Sequence, residues 1–137
     1  MSNDDLKITA TPVATSRRLS VLPKFFGLKM MRFEALVYHF AGELASEYAG
    51  GLWEFYELSN GSFYMAPQGY PSLTISVDGN GYTGTVSADA AGVIVTLFAL
   101  CHLANETHRD EHSELYHRLR EFSFEHDECS DIVAAID

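Results

Sequence analysis

From Ala88 to Ala104 the chain reads ADAAGVIVTLFALCHLA, and its apolar residues do not keep to one side. Val93, Ile94, Val95, Leu97, Phe98, Leu100 and Leu103 are spread around the whole circumference of a helix. A helix that is apolar all round is either enclosed by protein or set in a bilayer. Asp89, Thr96 and His102 interrupt the stretch, which leaves no apolar run of the ~18 residues that a bilayer span requires. The reading is therefore a central buried helix in a soluble protein. Ser87 suits its N-cap, and Asp89 in the first turn is favoured by the helix dipole.

The walls around such a helix come from the preceding residues. Leu52 to Leu58 and Ser62 to Ala66 alternate as two strands around Ser59-Asn60-Gly61, because Asn-Gly supplies the positive φ angles of tight hairpins. With a three-residue loop Phe55 lies opposite Met65 and Tyr56 opposite Tyr64. Trp53, Phe55, Phe63 and Met65 then share a core-facing side, and Glu54, Tyr56, Ser62 and Tyr64 the other. Ser72 to Val77 and Tyr82 to Ser87 form a second hairpin around Asp78-Gly79-Asn80-Gly81. Two successive hairpins predict a four-stranded antiparallel sheet.

Helical spacing marks Met31 to Tyr48, stopped by Gly50 and Gly51, and again Asp110 to Phe124 and Asp127 to Ile136. Pro23 and Gly27 predict a loop or short turns in RRLSVLPKFFG. The fold class expected is α+β, a single domain over 16–137 with about four helices packed on the sheet, preceded by a loose N-terminus over residues 1–15. A chain of 137 residues suits one such core.

Charge is unevenly distributed. The net charge of −10 arises from a segment of +4 over residues 1–33, seven acids without Lys or Arg over 34–104, and −7 over 105–137. This balance argues against direct, unaided DNA binding, since phosphate contacts need clustered cations, and it permits a basic protein partner. Two cysteines, Cys101 and Cys129, are too few for a disulfide framework, which points to a reducing cytoplasm. The string SRRLSVL resembles part of an export signal, but Lys24, Lys29, Arg32 and Glu34 interrupt the apolar run that such a signal requires after it, so export is rejected.

Few motifs carry chemistry. His108-Arg109-Asp110-Glu111-His112 fits HxxEH, in which two histidines hold zinc and a glutamate acts as base. A metal-dependent hydrolase using His108, Glu111 and His112 is thus an alternative. The preferred reading is a solvated helix start, because Asn105 to Asp110 are all polar and the six histidines make chance matches easy. His126-Asp127-Glu128-Cys129 lacks the further ligands of a structural zinc. No phosphate-binding or nucleotide fingerprint is present; no catalytic residue, metal or cofactor is expected.

GGLWEFYELSNGSFYMAP (residues 50–67) and DGNGYTGTVSADAAGVIVTLFAL (residues 78–100) resemble the signature of antirestriction proteins of the ArdB/KlcA type, and RRLSVLPKFFG (residues 17–27) fits the family's N-terminal pattern. The resemblance runs from about Arg17 to the end. It implies a small cytoplasmic α+β protein of plasmids and other mobile elements that relieves type I restriction of incoming DNA without being an enzyme. Its implied partner is the type I restriction-modification enzyme or a host factor that enzyme depends on. A direct DNA mimic is a further alternative, disfavoured because seven acids over residues 34–104 are too sparse to imitate a phosphate lattice. As partner-binding residues the reading selects Glu54, Tyr56 and Tyr64 on the outward strand face, and Asp131 and Asp137 at the acidic end. Oligomeric state is left open.

Overall fold

A computed structural model describes residues 7–137, and the helix anticipated at the centre is there: α3 (Ala88–Thr107). Ser87 caps it, accepting the Ala90 amide at 3.1 Å. His108 ends it in the left-handed conformation, φ 56°. Packed around it are α2 (Met30–Leu44), α4 (Asp110–Ser123), α5 (Cys129–Ile136) and the strands β3 (Phe63–Pro67), β4 (Ser72–Val77) and β5 (Tyr82–Ser87). By length and composition α3 would span a bilayer, yet every residue from Ala90 to Leu97 is buried inside the protein.

The first hairpin, β2 (Trp53–Leu58) with β3, has the three-residue-loop register: Phe55 faces Met65 and Tyr56 faces Tyr64. Gly61 supplies the positive φ, 93°, and Asn60 donates from Nδ2 to the Arg118 carbonyl at 2.9 Å, pinning the turn to α4. Trp53, Phe63 and Met65 are buried as expected, and Phe55 is half-buried. Both faces of β3 are covered, since all five of its residues are buried.

The single four-stranded sheet is corrected. A three-stranded sheet of order β1-β2-β3, whose first strand β1 spans Ala10–Pro12, and a separate two-stranded sheet β4-β5 flank α3. The reason lies on the outer edge of β3. There the Thr96 hydroxyl of α3 accepts the Met65 amide at 3.1 Å and donates to the Met65 carbonyl at 3.3 Å, so a helix side chain takes the bonds that β4 would have made. Gly92 allows this approach: a Cβ there would lie 2.3 Å from the Met65 carbonyl oxygen.

The N-terminal expectations also change. Of residues 1–15, the first six lie outside the described residues, but Ala10–Pro12 are ordered as β1, paired antiparallel with β2. RRLSVLPKFFG holds a nine-residue helix, α1 (Arg18–Phe26), despite Pro23. Proline removes the one bond to the Leu19 carbonyl, and both residues are exposed, where water can replace it. Helix α2 stops at Leu44, short of Gly50, because Ala45 turns extended and bridges Ile75 of β4.

Candidate partner-binding surface

The HxxEH string does not assemble. His108 is the left-handed cap of α3 and Arg109 the extended N-cap of α4, so no helical turn aligns His108 with His112. His112 is buried, 1% exposed, beside the Phe26 ring. Thr107 donates its hydroxyl to the Leu103 carbonyl, so the 2.7 Å contact between His112 Nδ1 and Thr107 Oγ1 has the ring nitrogen as donor. Burial lowers the His112 pKa and keeps the ring neutral. Glu111 points to solvent and pairs with Arg109 at 3.9 Å. Among the described residues no three His, Cys, Asp or Glu side chains are placed to hold a metal ion.

The proposed outward face of the first hairpin is mostly engaged. Tyr64 is 2% exposed, which removes it as a contact residue. Its ring stacks on Tyr56 at 4.8 Å and on Phe122 of α4 at 5.7 Å, and its hydroxyl donates to Asp89 at 2.7 Å. Burial, reinforced by that carboxylate, pushes the Tyr64 hydroxyl far above its usual range. Tyr56 remains half-buried at the rim. Glu54 also stays at the surface, held by Arg18 at 3.0 Å and by the Gln68 side-chain amide.

Asp89 joins three elements. One oxygen takes the Tyr64 hydroxyl; the other accepts His126 Nε2 at 2.7 Å, while the Glu128 amide donates to His126 Nδ1 at 3.0 Å. Glu128 in turn accepts the Ser87 amide at 2.9 Å and the Ser87 hydroxyl. The cap of α3, strand β3 and the start of α5 are thereby tied in one polar junction, whose sequence signal was limited to Ser87 and Asp89 as helix-start residues.

Burial opposes the charge on Asp89, but the hydrogen bonds from His126 and Tyr64 outweigh it, and the carboxyl titrates below its ordinary value. The bond to Asp89 raises the pKa of His126 against the burial that would lower it. The raised histidine stabilises the fold below its ordinary pKa of 6.5, and that contribution fades as pH rises through the native value. The depressed carboxyl stabilises above its ordinary 3.8 and fades as pH falls through its native value. The pair is strongest between these limits. Asp89→Asn is expected to lower stability by about 1–2 kcal/mol near pH 5.5, discounted for a half-exposed carboxylate, and by less near pH 8.5. Urea midpoints at the two pH values check this; an equal loss at both would contradict the coupling.

The two C-terminal acids do not stand together. Asp131 accepts the Tyr82 hydroxyl at 2.9 Å, and burial followed by this bond pushes the Tyr82 pKa up to about 12. Asp137 lies 3.7 Å from Arg120 of α4 and is exposed.

A second surface feature was missed by the sequence reading. Between α1, the start of α2 and the chain entering β2 runs an open groove of about 330 Å³ lined by Leu19, Met30, Tyr38, Leu52, Trp53 and Phe55, among others. Leu19 is 95% and Leu52 72% exposed. The available signal was Leu52 itself, an apolar residue after Gly50-Gly51 and one step out of phase with the buried Trp53.

The sequence pattern of the antirestriction protein family matches residues 46–137. Antirestriction protein KlcA of Escherichia coli is 50% identical over 137 residues, covering 95% of this chain and 94% of the relative. A second Escherichia coli KlcA is 46% identical with both chains fully covered. Among solved structures, one from work on KlcA and ArdB superimposes with a TM-score of 0.88 at 47% identity, covering 95% of each chain; those proteins are described as having antirestriction activity against type I DNA restriction systems in vivo but not in vitro. With the hairpin register, the central helix and the full-length match in agreement, this chain belongs to the antirestriction protein family.

Proposed function

We propose that this protein relieves type I restriction of incoming DNA inside bacterial cells, through contacts with the restriction enzyme or a host factor it depends on and not through catalysis. The observation that carries the reading is the end-to-end match to KlcA, together with the shared fold of proteins active against type I systems in vivo. The surface chemistry supports protein contact over DNA mimicry. Glu54, Glu57 and Glu106 are neutralised by Arg18, by Arg17 and Lys24, and by Arg32, and Asp89 and Asp131 are bound within the fold, so these carboxylates are not free to stand in for phosphates.

Unmodified phage plated on a host with an active type I system is expected to form more plaques when the protein is expressed, with no change in a host lacking the system. No protection would sink the reading. The contact residues proposed are Tyr56 at the hairpin rim and the exposed Asp137 at the acidic end; Glu54 and Asp131, engaged by Arg18 and by Tyr82, are left out. The substitution Asp137→Asn is expected to reduce protection while leaving the fold intact. Unchanged protection would remove the acidic end from the contact surface.

A further inference from the structure

The groove between α1, α2 and β2 has a floor of unusual construction. Strand β1 accompanies β2 only as far as the bond from the Val13 amide to the Phe55 carbonyl, 2.8 Å, and then the chain turns away into α1. On its other side β2 stays paired to β3 as far as Trp53, opposite Pro67. In an antiparallel ladder alternate residues direct their backbone groups to the same edge, so the amide and carbonyl of Trp53 share the edge of Phe55, with no strand opposite them among the described residues. Trp53 is itself buried and shares the groove lining with Leu19 and Leu52, which are exposed together with Met30 and Tyr38 of α2. Exposed apolar side chains lining one groove are the elements that hold an extended segment of a partner, whose own apolar side chains enter between them.

The charges in the groove narrow the occupant. Arg18 is committed to Glu54, whereas Glu34, half-buried on the same face of α2 as Met30 and Tyr38, has no cationic partner among the described residues. The net charge of −10 attracts a cationic partner and repels a second copy of this chain. We propose that this groove seats an extended apolar segment of a protein of the type I restriction machinery, carrying a lysine or arginine that meets Glu34. This rests on the proposed protein-contact function and names the surface that serves it.

The test uses the full chain in cells with an active type I system. A photo-crosslinking phenylalanine analogue placed at Leu52 is expected to give an adduct with a restriction-enzyme subunit, and the same probe at Leu28, fully exposed but outside the groove lining, is expected to give none. Leu19→Glu with Leu52→Glu is expected to cut phage protection by about tenfold or more, the scale of losing a buried apolar anchor. Leu28→Glu with Met31→Glu, also at exposed apolar positions away from the groove, is expected to leave protection unchanged, and thermal unfolding of the purified variants identifies any loss of fold. Glu34→Lys in an otherwise parental groove, which keeps the apolar walls, is expected to weaken protection more than Glu34→Gln. Full protection by folded groove variants, a Leu52 adduct only with a second copy of the chain, or equal adducts from Leu28 and Leu52 would overturn the proposal. Absence of protection by the parental protein would instead refute the function on which it rests.

Discussion

Gly92→Val is expected to leave little folded protein. A Cβ at this position would sit 2.3 Å from the Met65 carbonyl oxygen, 2.5 Å from Ala66 Cα and 2.6 Å from Ala66 Cβ, so the obstruction is largely strand backbone. No rotamer change relieves it; α3 and β3 must move apart, and the buried contacts along that interface open with them. Alanine alone should cost about 3 kcal/mol, the upper end of ordinary overpacking, and valine more. That is a large share of the ~5–15 kcal/mol that holds a typical domain together. Urea unfolding of Gly92→Ala and the soluble yield of Gly92→Val check the expectation, and a parental midpoint for the alanine variant would contradict it. Gly42 provides the contrast, lying exposed in α2 with nothing within 4 Å of an added Cβ. Gly42→Ala should stabilise by about 0.4–1 kcal/mol, through a less flexible unfolded chain and better helix propensity.

The second large effect is expected at Thr96. Valine has nearly the same shape but lacks the hydroxyl that satisfies both the amide and the carbonyl of Met65. Thr96 and Met65 are both fully buried, so water does not replace the lost partner. Thr96→Val should therefore cost about 1–3 kcal/mol, the penalty for stranding buried polar groups. Thr96→Ser keeps the hydroxyl and loses one methyl, for a loss of about 1 kcal/mol or less. Denaturant midpoints should fall in the order parent, serine, valine, and amide exchange at Met65 should accelerate most in the valine variant. A valine variant as stable as the parent would mean that the edge of β3 does not depend on this helix side chain.

The parts of this fold written in local pattern were legible. The Ser59-Asn60-Gly61 turn and the alternation on either side of it fix the pairing of Tyr56 with Tyr64, and the all-round apolarity of Val93 to Leu103 requires enclosure. The polar run from Asn105 to Asp110 carried the information that HxxEH straddles a break. What escaped the sequence depends on partners distant in the chain. Thr96 reaches Met65 across 31 positions and divides the sheet. Hairpin alternation alone puts Tyr64 on an outer face because it assumes solvent on one side, whereas Phe122 and Asp89 bring a second layer over it. Strand β1 is three residues long and obtains its order from β2, so its own sequence shows no period. The groove escaped for a related reason, since Leu19 and Leu52 are far apart in sequence and share a surface only after α1 folds back against β2.

The division into two sheets has a mechanical consequence. No ladder of backbone hydrogen bonds runs from β3 to β4, and the second hairpin is fastened by its packing on α3 and α5, by the short bridge at Ala45 with Glu47 accepting from Thr74, and by Asn80 and Tyr82, which donate to α5. Loosening β4-β5 therefore breaks side-chain contacts without unzipping the first hairpin. The second hairpin is thus able to loosen on its own, whereas the Asp89 junction, which holds Tyr64 of β3, stays with the first hairpin and α3.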